Sequence, residues 1–153
     1  MKRNVTTLLF AAALAAHLST RPAGAHCQVP CGVFTDNLRI LTIKEDCQTI
    51  AKAMQKIAGG ETNQNQVVRW IMTKEDHAGK IQEVVTQYFM AQRIKPDAPK
   101  YPEKLQALHA ILLSATKCKQ VTDTAVVDKL LEQVNQFVDL YFTAEEAKHL
   151  KEH

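Results

Sequence analysis

The sequence predicts an all-α protein: an up-down four-helix bundle preceded by a short N-terminal loop that contains two cysteines. Three observations predict this fold. Apolar residues recur every three or four positions in four successive segments, which is the period of a helix with one buried face. Short connections of glycine, proline and polar residues separate these segments. No segment alternates apolar and polar residues as a β-strand does, so a bundle of helices with short loops is expected.

Residues 1–25 have the composition of an export signal. Two basic residues near the start are followed by an unbroken apolar run at 8–16 and by Ala-Gly-Ala at 23–25, which is a typical signal-peptidase site. The apolar run is too short for a permanent membrane anchor, which takes about 20 residues. We therefore expect a signal peptidase or a dedicated processing protease to remove 1–25. The product would be a periplasmic or extracellular protein, free of the membrane, that begins at His26.

The charge balance changes once this signal is set aside. Three of the 19 basic residues and none of the 16 acidic residues lie in 1–25, so the remainder carries 16 of each and has no formal net charge. No basic stripe with interleaved aromatic residues is present. Both observations argue against a nucleic-acid partner.

The first two helices are predicted at 35–58 and at about 66–94. Thr35 or Asp36 can cap the first helix, and a pair of glycines ends it. Lys74 interrupts the apolar stripe of the second helix. The stripe residues of the first helix are Ile40, Ile43, Cys47, Ile50, Met54 and Ile57, and those of the second are Val67, Ile71, Ala78, Ile81, Val85 and Tyr88.

The third and fourth helices follow a connection that contains three prolines. The third helix is expected to start near Pro102, the last of these, and to fade near Gln120. Thr122 or Asp123 caps the fourth helix. Residues 143–146, Thr-Ala-Glu-Glu, resemble a capping box that starts a short final helix or a bend. The stripe residues are Leu105, Leu108, Leu112 and Ala115 in the third helix, and Val127, Leu130, Val134, Phe137 and Tyr141 in the fourth.

All four cysteines lie after residue 25, and each pair of them has two interpretations. An even number of cysteines in an exported protein often means disulfides. Cys47 and Cys118 either pair or are small core residues, because both fall within apolar helical patterns. Cys27 and Cys31 form either a disulfide or part of a metal site.

The segment His-Cys-Gln-Val-Pro-Cys-Gly at 26–32 favours a metal site. With a free α-amino group at His26, that amine, the deprotonated backbone nitrogen of Cys27 and the Cys27 sulfur form fused chelate rings that favour a plane. The Cys31 sulfur completes the plane if the neighbouring proline and glycine turn the chain back. Planar donors of two nitrogens and two sulfurs suit Ni(II) or Cu(II) better than Zn(II), which prefers a tetrahedron. The imidazole could then add an axial ligand.

A resemblance to a known family rests on this segment. His-Cys-x-x-Pro-Cys-Gly-Val at 26–33, at a newly made N-terminus ahead of a helical bundle, resembles the nickel hook of nickel-containing superoxide dismutases. The helical part is similar to that family as well, and the resemblance covers nearly all of 26–142. The stretches that carry the similarity of the helical part are 69–71, 74–78, 88–89 and 92–96.

The resemblance implies a ligand set, a reaction and an assembly. His26 would supply the terminal amine and, in the oxidised state, an axial imidazole. Cys27 would supply its backbone nitrogen and thiolate, and Cys31 the second thiolate, to one nickel ion per subunit. The implied reaction is disproportionation of superoxide into dioxygen and hydrogen peroxide, with nickel alternating between Ni(II) and Ni(III). The implied assembly is a homohexamer of four-helix bundles.

The resemblance also implies aromatic and polar residues near the metal. The family tyrosine two residues after the hook glycine is replaced here by Phe34, which removes a hydroxyl that would order water or substrate. A second family tyrosine matches Tyr88, which is therefore a candidate catalytic residue. The family steadies its N-terminal imidazole with a carboxylate and a basic partner, for which Glu45, Arg69 and His77 are candidates.

On this interpretation the chain consists of an export signal at 1–25, a nickel hook at 26–34 and a bundle domain at 35–153. Two other interpretations stay open. The same loop could belong to a non-catalytic extracytoplasmic protein that binds copper or nickel, because Cu(II) also takes planar sites with two nitrogens and two sulfurs. Alternatively, the chain is a structural bundle whose Cys27–Cys31 disulfide is inert.

Overall fold

Helices make up most of the chain that the structure describes. The computed structural model describes residues 32–152, so the predicted signal and residues 26–31 of the predicted hook lie outside the described residues. No strand occurs within 32–152, and the predicted all-α helical bundle is confirmed for this part of the chain. The helices are α1 (Asp36–Ala58), α2 (Gln64–Glu83), α3 (Tyr101–Gln120), α4 (Ala125–Tyr141) and α5 (Ala144–Glu152), and a π-helical segment, Val84–Arg93, continues α2.

One hydrophobic core lies between the first four helices. Each of these helices packs against the next along the chain, and α4 packs back against α1, while α5 packs against both α4 and α1. Each fully buried large aliphatic side chain stabilises the fold by about 1.5–3 kcal/mol. None of the described helices is long and apolar enough to cross a membrane. The predicted stripe residues that are buried are Ile40, Ile43, Cys47, Ile50, Met54, Ala78, Ile81, Val85, Tyr88, Leu108, Ala115, Val127, Leu130, Val134 and Phe137.

The structure differs from the prediction at two helix starts and at one expected core residue. Helix α2 begins at Gln64, slightly earlier than predicted, because the Asn63 side chain accepts hydrogen bonds from the backbone N–H groups of the first turn. Helix α4 begins at Ala125, whose backbone N–H donates to the Asp123 carboxylate at 3.0 Å. Ile71 was expected in the stripe of α2, but its side chain is 40% exposed.

Lys74, which interrupts the apolar stripe of α2, is buried and joins α2 to the end of α3. Its ammonium group donates to the backbone carbonyl oxygen of Cys118 at 2.9 Å and to that of Lys119, and it forms an ion pair with Glu75 at 2.9 Å. These two carbonyl groups lie in the last turn of α3, where no further helical N–H group can satisfy them. A cation at this end of a helix also interacts favourably with the helix dipole.

The predicted capping box at 143–146 forms and starts α5. The Glu146 carboxylate accepts hydrogen bonds from the Thr143 backbone N–H at 3.1 Å and from the Thr143 hydroxyl at 2.8 Å. Ala147 and Leu150 then bury α5 against the bundle, and Lys44 of α1 donates to the Leu150 carbonyl oxygen. The final segment is therefore a helix and not a bend.

Cys47 and Cys118 are free thiols in the core. Burial raises the pKa of the Cys47 thiol to about 12 and that of the Cys118 thiol to about 11, so both stay protonated at neutral pH. Of their two interpretations, the structure has the second one, in which they are small core residues. Buried neutral thiols of this kind are chemically inert.

Replacing Lys74 by alanine should lower the free energy of unfolding by about 1–3 kcal/mol, because the last carbonyl groups of α3 lose their donor inside the protein. Chemical denaturation followed by circular dichroism measures this change. Lys80→Ala removes an exposed lysine from the same helix and should have a smaller effect. Equal effects of the two substitutions would contradict the capping role of Lys74.

Candidate metal centre

The predicted nickel ligands, His26, Cys27 and Cys31, lie outside the described residues, so their coordination stays a prediction. The described chain begins at the next residue, Gly32, whose φ of 77° lies in the left-handed region that favours glycine. Another residue would be strained at this position. This backbone conformation is in keeping with the turn expected at the end of the hook.

The rest of the described chain offers no alternative ligand set. Residues 32–152 contain no group of three or more histidine, cysteine, aspartate or glutamate side chains that could hold a metal ion. The cysteines within this range are the protonated core residues Cys47 and Cys118, whereas a cysteine that binds a metal does so as a thiolate. Neither of the two cysteines within 32–152 is therefore available as a thiolate donor at neutral pH, and Cys27 and Cys31 stay the predicted donors.

Asp36 is the first residue of α1 and the acceptor at the centre of a hydrogen-bond network. Its Oδ1 atom accepts from Arg93 Nε at 2.9 Å and from the Tyr88 hydroxyl at 2.5 Å. Its Oδ2 atom accepts from Arg93 Nη2 at 2.7 Å and from the Tyr141 hydroxyl at 2.8 Å. We call these four side chains the Asp36 network. Because a bidentate arginine–carboxylate pair is geometrically specific, the network fixes the start of α1 against the π-helical segment and the end of α4.

The network also sets the charge state of its members. Burial alone would raise the pKa of the Asp36 carboxyl, but hydrogen bonds from Arg93, Tyr88 and Tyr141 outweigh burial and hold that pKa below its usual range. Burial and the hydrogen bond to Asp36 raise the pKa of Tyr88 to about 12, and the same two causes raise the pKa of Tyr141. At neutral pH the carboxylate is therefore ionised and both tyrosines are neutral.

The Tyr88 side chain connects the network to the segment that follows the hook. Its hydroxyl oxygen accepts a hydrogen bond from the Thr35 backbone N–H at 2.9 Å, while its hydrogen is donated to Asp36. The Phe34 ring meets the Tyr88 ring edge-on with 5.8 Å between centroids, and the Arg93 guanidinium lies 4.3 Å from the Phe34 ring centroid. The structure thus brings together Phe34 and Tyr88, the two aromatic positions that the family resemblance implies lie near the metal.

The π-helical segment explains how Tyr88 and Arg93 reach the same carboxylate. They are five residues apart, whereas residues three or four apart are the neighbours on an α-helix. The hydrogen bonds of a π-helix join residues five apart, as the 2.9 Å bond from the Ile94 N–H to the Phe89 carbonyl oxygen does at the end of this segment. The wider turn therefore places the two side chains on one face.

An open cleft of about 680 Å³ lies beside the start of α1. Residues of the Asp36 network form part of its wall, together with the segment at 34–38 and the junction between α4 and α5. The lining residues that bear on the network are Phe34, Thr35, Asp36, Arg93, Tyr141 and Phe142. The cleft thus opens a few residues along the chain from the predicted ligand Cys31.

The candidate partners of the His26 imidazole do not form a group. Glu45 and Arg69 are exposed, and the His77 Nδ1 atom lies 2.6 Å from Asp46 Oδ1, so that this pair joins α2 to α1. No hydrogen bond or ion pair within the described chain joins Glu45, Arg69 and His77 to one another. Within the described chain, Asp36 and Arg93 do form a carboxylate–base pair at the start of α1, and sequence reasoning missed this pair. The only available signals were Asp36 as a helix cap and Arg93 within the similar stretch 92–96.

Comparison with family models decides the identity. A model described as nickel-containing superoxide dismutase matches residues 21–145, a range that contains the predicted ligands, the Asp36 network and helices α1 to α4. This chain belongs to the nickel-containing superoxide dismutase family. It is an oxidoreductase with a nickel cofactor, and superoxide fits as its substrate. Comparison with curated proteins and with solved structures gives no match.

A nickel superoxide dismutase needs protons for the peroxide that it forms, which raises the question of what Tyr88 does. A general acid works best when its pKa lies near the working pH. The Tyr88 hydroxyl has a pKa of about 12, and its hydrogen is already donated to Asp36. Its observed contacts hold the Thr35 backbone in place. A catalytic role of Tyr88 stays a prediction.

The low pKa of Asp36 makes the stability of this end of the bundle depend on pH. The folded chain holds the pKa below the unfolded value of about 3.8, so the contribution of Asp36 is fully present above pH 3.8 and is lost as the pH falls through the folded pKa. Asp36→Asn should lower the free energy of unfolding at neutral pH by about 1–3 kcal/mol. The difference from the parent should shrink below about pH 4.

Urea unfolding at a series of pH values from 2 to 7 measures this difference. Asp139→Asn is the matched control, because the Asp139 side chain is 54% exposed and pairs with Lys151 at the surface. A difference between the Asp36→Asn protein and the parent that stays constant down to pH 2 would contradict the assignment of an ionised Asp36.

Proposed function

We propose that this member of the family binds nickel at the N-terminus of the processed chain. The ligands are the α-amine and imidazole of His26, the backbone nitrogen and thiolate of Cys27, and the thiolate of Cys31, within a hook at 26–34. The observation that carries the proposal is the family match over 21–145, because it includes this segment as well as the bundle. The protonated state of the two core thiols at neutral pH also supports the proposal, because it leaves Cys27 and Cys31 as the candidate thiolate donors.

Nickel held by these donors would supply redox chemistry, cycling between Ni(II) and Ni(III). Over one cycle, two superoxide anions and two protons become one dioxygen and one hydrogen peroxide. The chain must supply the metal ligands in the right protonation state. It must present a deprotonated amine and two thiolates, and thiolate donors stabilise the higher oxidation state. Phe34 walls the site without the hydroxyl of the family tyrosine, so the protons come from water or from a donor other than position 34.

The proposal includes export and processing. A signal at 1–25 would direct the chain to the periplasm or the extracellular space, and a signal peptidase or a dedicated protease would expose the His26 amine. Loading with nickel directly after cleavage would protect the two thiols from oxidation. The non-catalytic copper- or nickel-binding alternative is less well supported than the enzyme, because the family match specifies a dismutase.

We also propose a homohexamer of such bundles. Val68, Ile71 and Met72 lie on one exposed face of α2, where their side chains are 53%, 40% and 58% exposed. Residues at this spacing share a helix face, and contiguous apolar surface of this kind marks interaction sites. Contact between subunits along this face would bury it.

One residue added before His26 should abolish dismutation, because the amine ligand moves away from the Cys27 nitrogen and sulfur. Two proteins are compared, one cleaved to start at His26 and one cleaved to start at Gly-His26. Intact mass, nickel content and superoxide dismutase activity are measured for each. The first is expected to carry about one nickel per subunit, and the second to lose most of its nickel.

A residue added after His153 is the control for a change of length alone. Full activity of the Gly-His26 protein would contradict the ligand role of the amine. A processed chain that is free of nickel and two hydrogens lighter at Cys27 and Cys31 would instead point to an inert disulfide. Bound nickel or copper without dismutation would point to the non-catalytic binding protein.

Tyr88→Phe should lower kcat by less than about tenfold and leave nickel bound, because the hydroxyl mainly holds Thr35 and Asp36. Loss of a general acid would cost about 10²–10⁴-fold. The control is Tyr101→Phe at the start of α3, which removes a hydroxyl outside the Asp36 network. Pulse radiolysis or stopped-flow decay of superoxide gives the rates. A loss of more than about 100-fold in the Tyr88→Phe protein would identify this residue as the proton donor.

A further inference from the structure

We propose that Asp36 is a positioning residue for the nickel site: with Tyr88, Arg93 and Tyr141 it fixes residues 34–36, and through them the segment that follows the last predicted ligand. The inference rests on the proposed ligand role of Cys31. It assigns a function to a carboxylate that does not itself bind the metal.

The reach of the chain couples Cys31 to the network. Five peptide bonds separate residue 31 from residue 36, and an extended chain spans at most about 3.6 Å per residue. The positive φ of Gly32 bends this connection, so the actual reach is shorter than the extended one. Where residues 34–36 are held therefore limits where the Cys31 thiolate can lie.

Side chains of the Asp36 network anchor this segment. Thr35 occupies the cap position of α1 but makes no side-chain capping hydrogen bond, and Val33 is 71% exposed. A helix start without a cap is less stable by about 1 kcal/mol and would fray. What holds it are the hydrogen bond from the Thr35 N–H to Tyr88 and the four short bonds to the Asp36 carboxylate.

The anchor joins three elements at one point. Tyr88 and Arg93 come from the π-helical segment and Tyr141 from the last turn of α4, while Asp36 opens α1. The Asp36 side chain is 17% exposed and the Arg93 side chain 29%, so both are partly withdrawn from solvent. Held in this way, the segment is ordered by the bundle itself. Ordering a binding segment in advance raises affinity, because binding then costs less conformational entropy.

The test compares Asp36→Asn with the parent and with Asp139→Asn, each processed to start at His26. Nickel affinity is measured by competition with a chelator, and the oxidised nickel signal by electron paramagnetic resonance. Both are recorded at a temperature at which circular dichroism shows every protein fully folded. The expected result for Asp36→Asn is a loss of about tenfold in nickel affinity, as is usual for partners outside the ligand shell, together with a broadened or shifted resonance signal. Asp139→Asn should match the parent in both.

Two further variants keep the test decisive if Asp36→Asn does not fold. Arg93→Lys retains the charge but loses the bidentate geometry, and Tyr141→Phe removes one donor to the carboxylate. Both should weaken nickel binding in the same direction by a smaller factor. If Asp36→Asn, or both of these variants, fold and keep the nickel affinity and resonance signal of the parent, the inference is overturned and the proposed function is not. A parent chain that binds no nickel would overturn the proposed function, and this inference with it.

Discussion

The ionised carboxylate of Asp36 is the constraint on which one end of the bundle depends, where α1 begins and α4 ends. A partly buried charge is costly unless every part of it is hydrogen-bonded, and here three side chains from two elements supply the donors. Removing any one donor leaves the others facing a less satisfied charge, so the contacts support one another. The start of α1, the π-helical segment and the end of α4 are therefore held as a unit. Asp36, at its centre, follows the predicted hook by two residues along the chain.

The fold can be predicted well from the sequence and the Asp36 network poorly, for a physical reason. The stripes of α1 and α4 follow local spacing, and a period of three to four residues can be seen without knowing what the helix packs against. Asp36 was visible only as a helix cap, because its partners lie 52, 57 and 105 residues away. The π-helical segment was missed since such segments are rare and have no sequence pattern of their own. Lys74 was seen as a break in the stripe, but its partners at the end of α3 were not.

The four cysteines show how one chain separates two chemistries of the same side chain. Cys47 and Cys118 lie within the core, where burial keeps the thiol neutral. Cys27 and Cys31 belong to the predicted hook, where a bound metal would hold the thiolate form. Nickel is not expected to bind the core cysteines, because burial makes their thiolate form unfavourable. This separation supports a single metal location for a dismutase of this family.

The π-helical turn also limits how the chain can change in length. A helix on the surface absorbs a deleted residue by shifting its end, and the loop that follows takes up the difference. In the segment Val84–Arg93, deleting one residue between Tyr88 and Arg93 would leave the two four residues apart, which is the spacing of neighbours on an α-helix. α-Helical hydrogen bonding without a deletion would instead turn Arg93 about 140° from Tyr88 and away from Asp36. The spacing of Tyr88 and Arg93 and the type of helix that joins them can therefore change only together if both side chains are to reach Asp36.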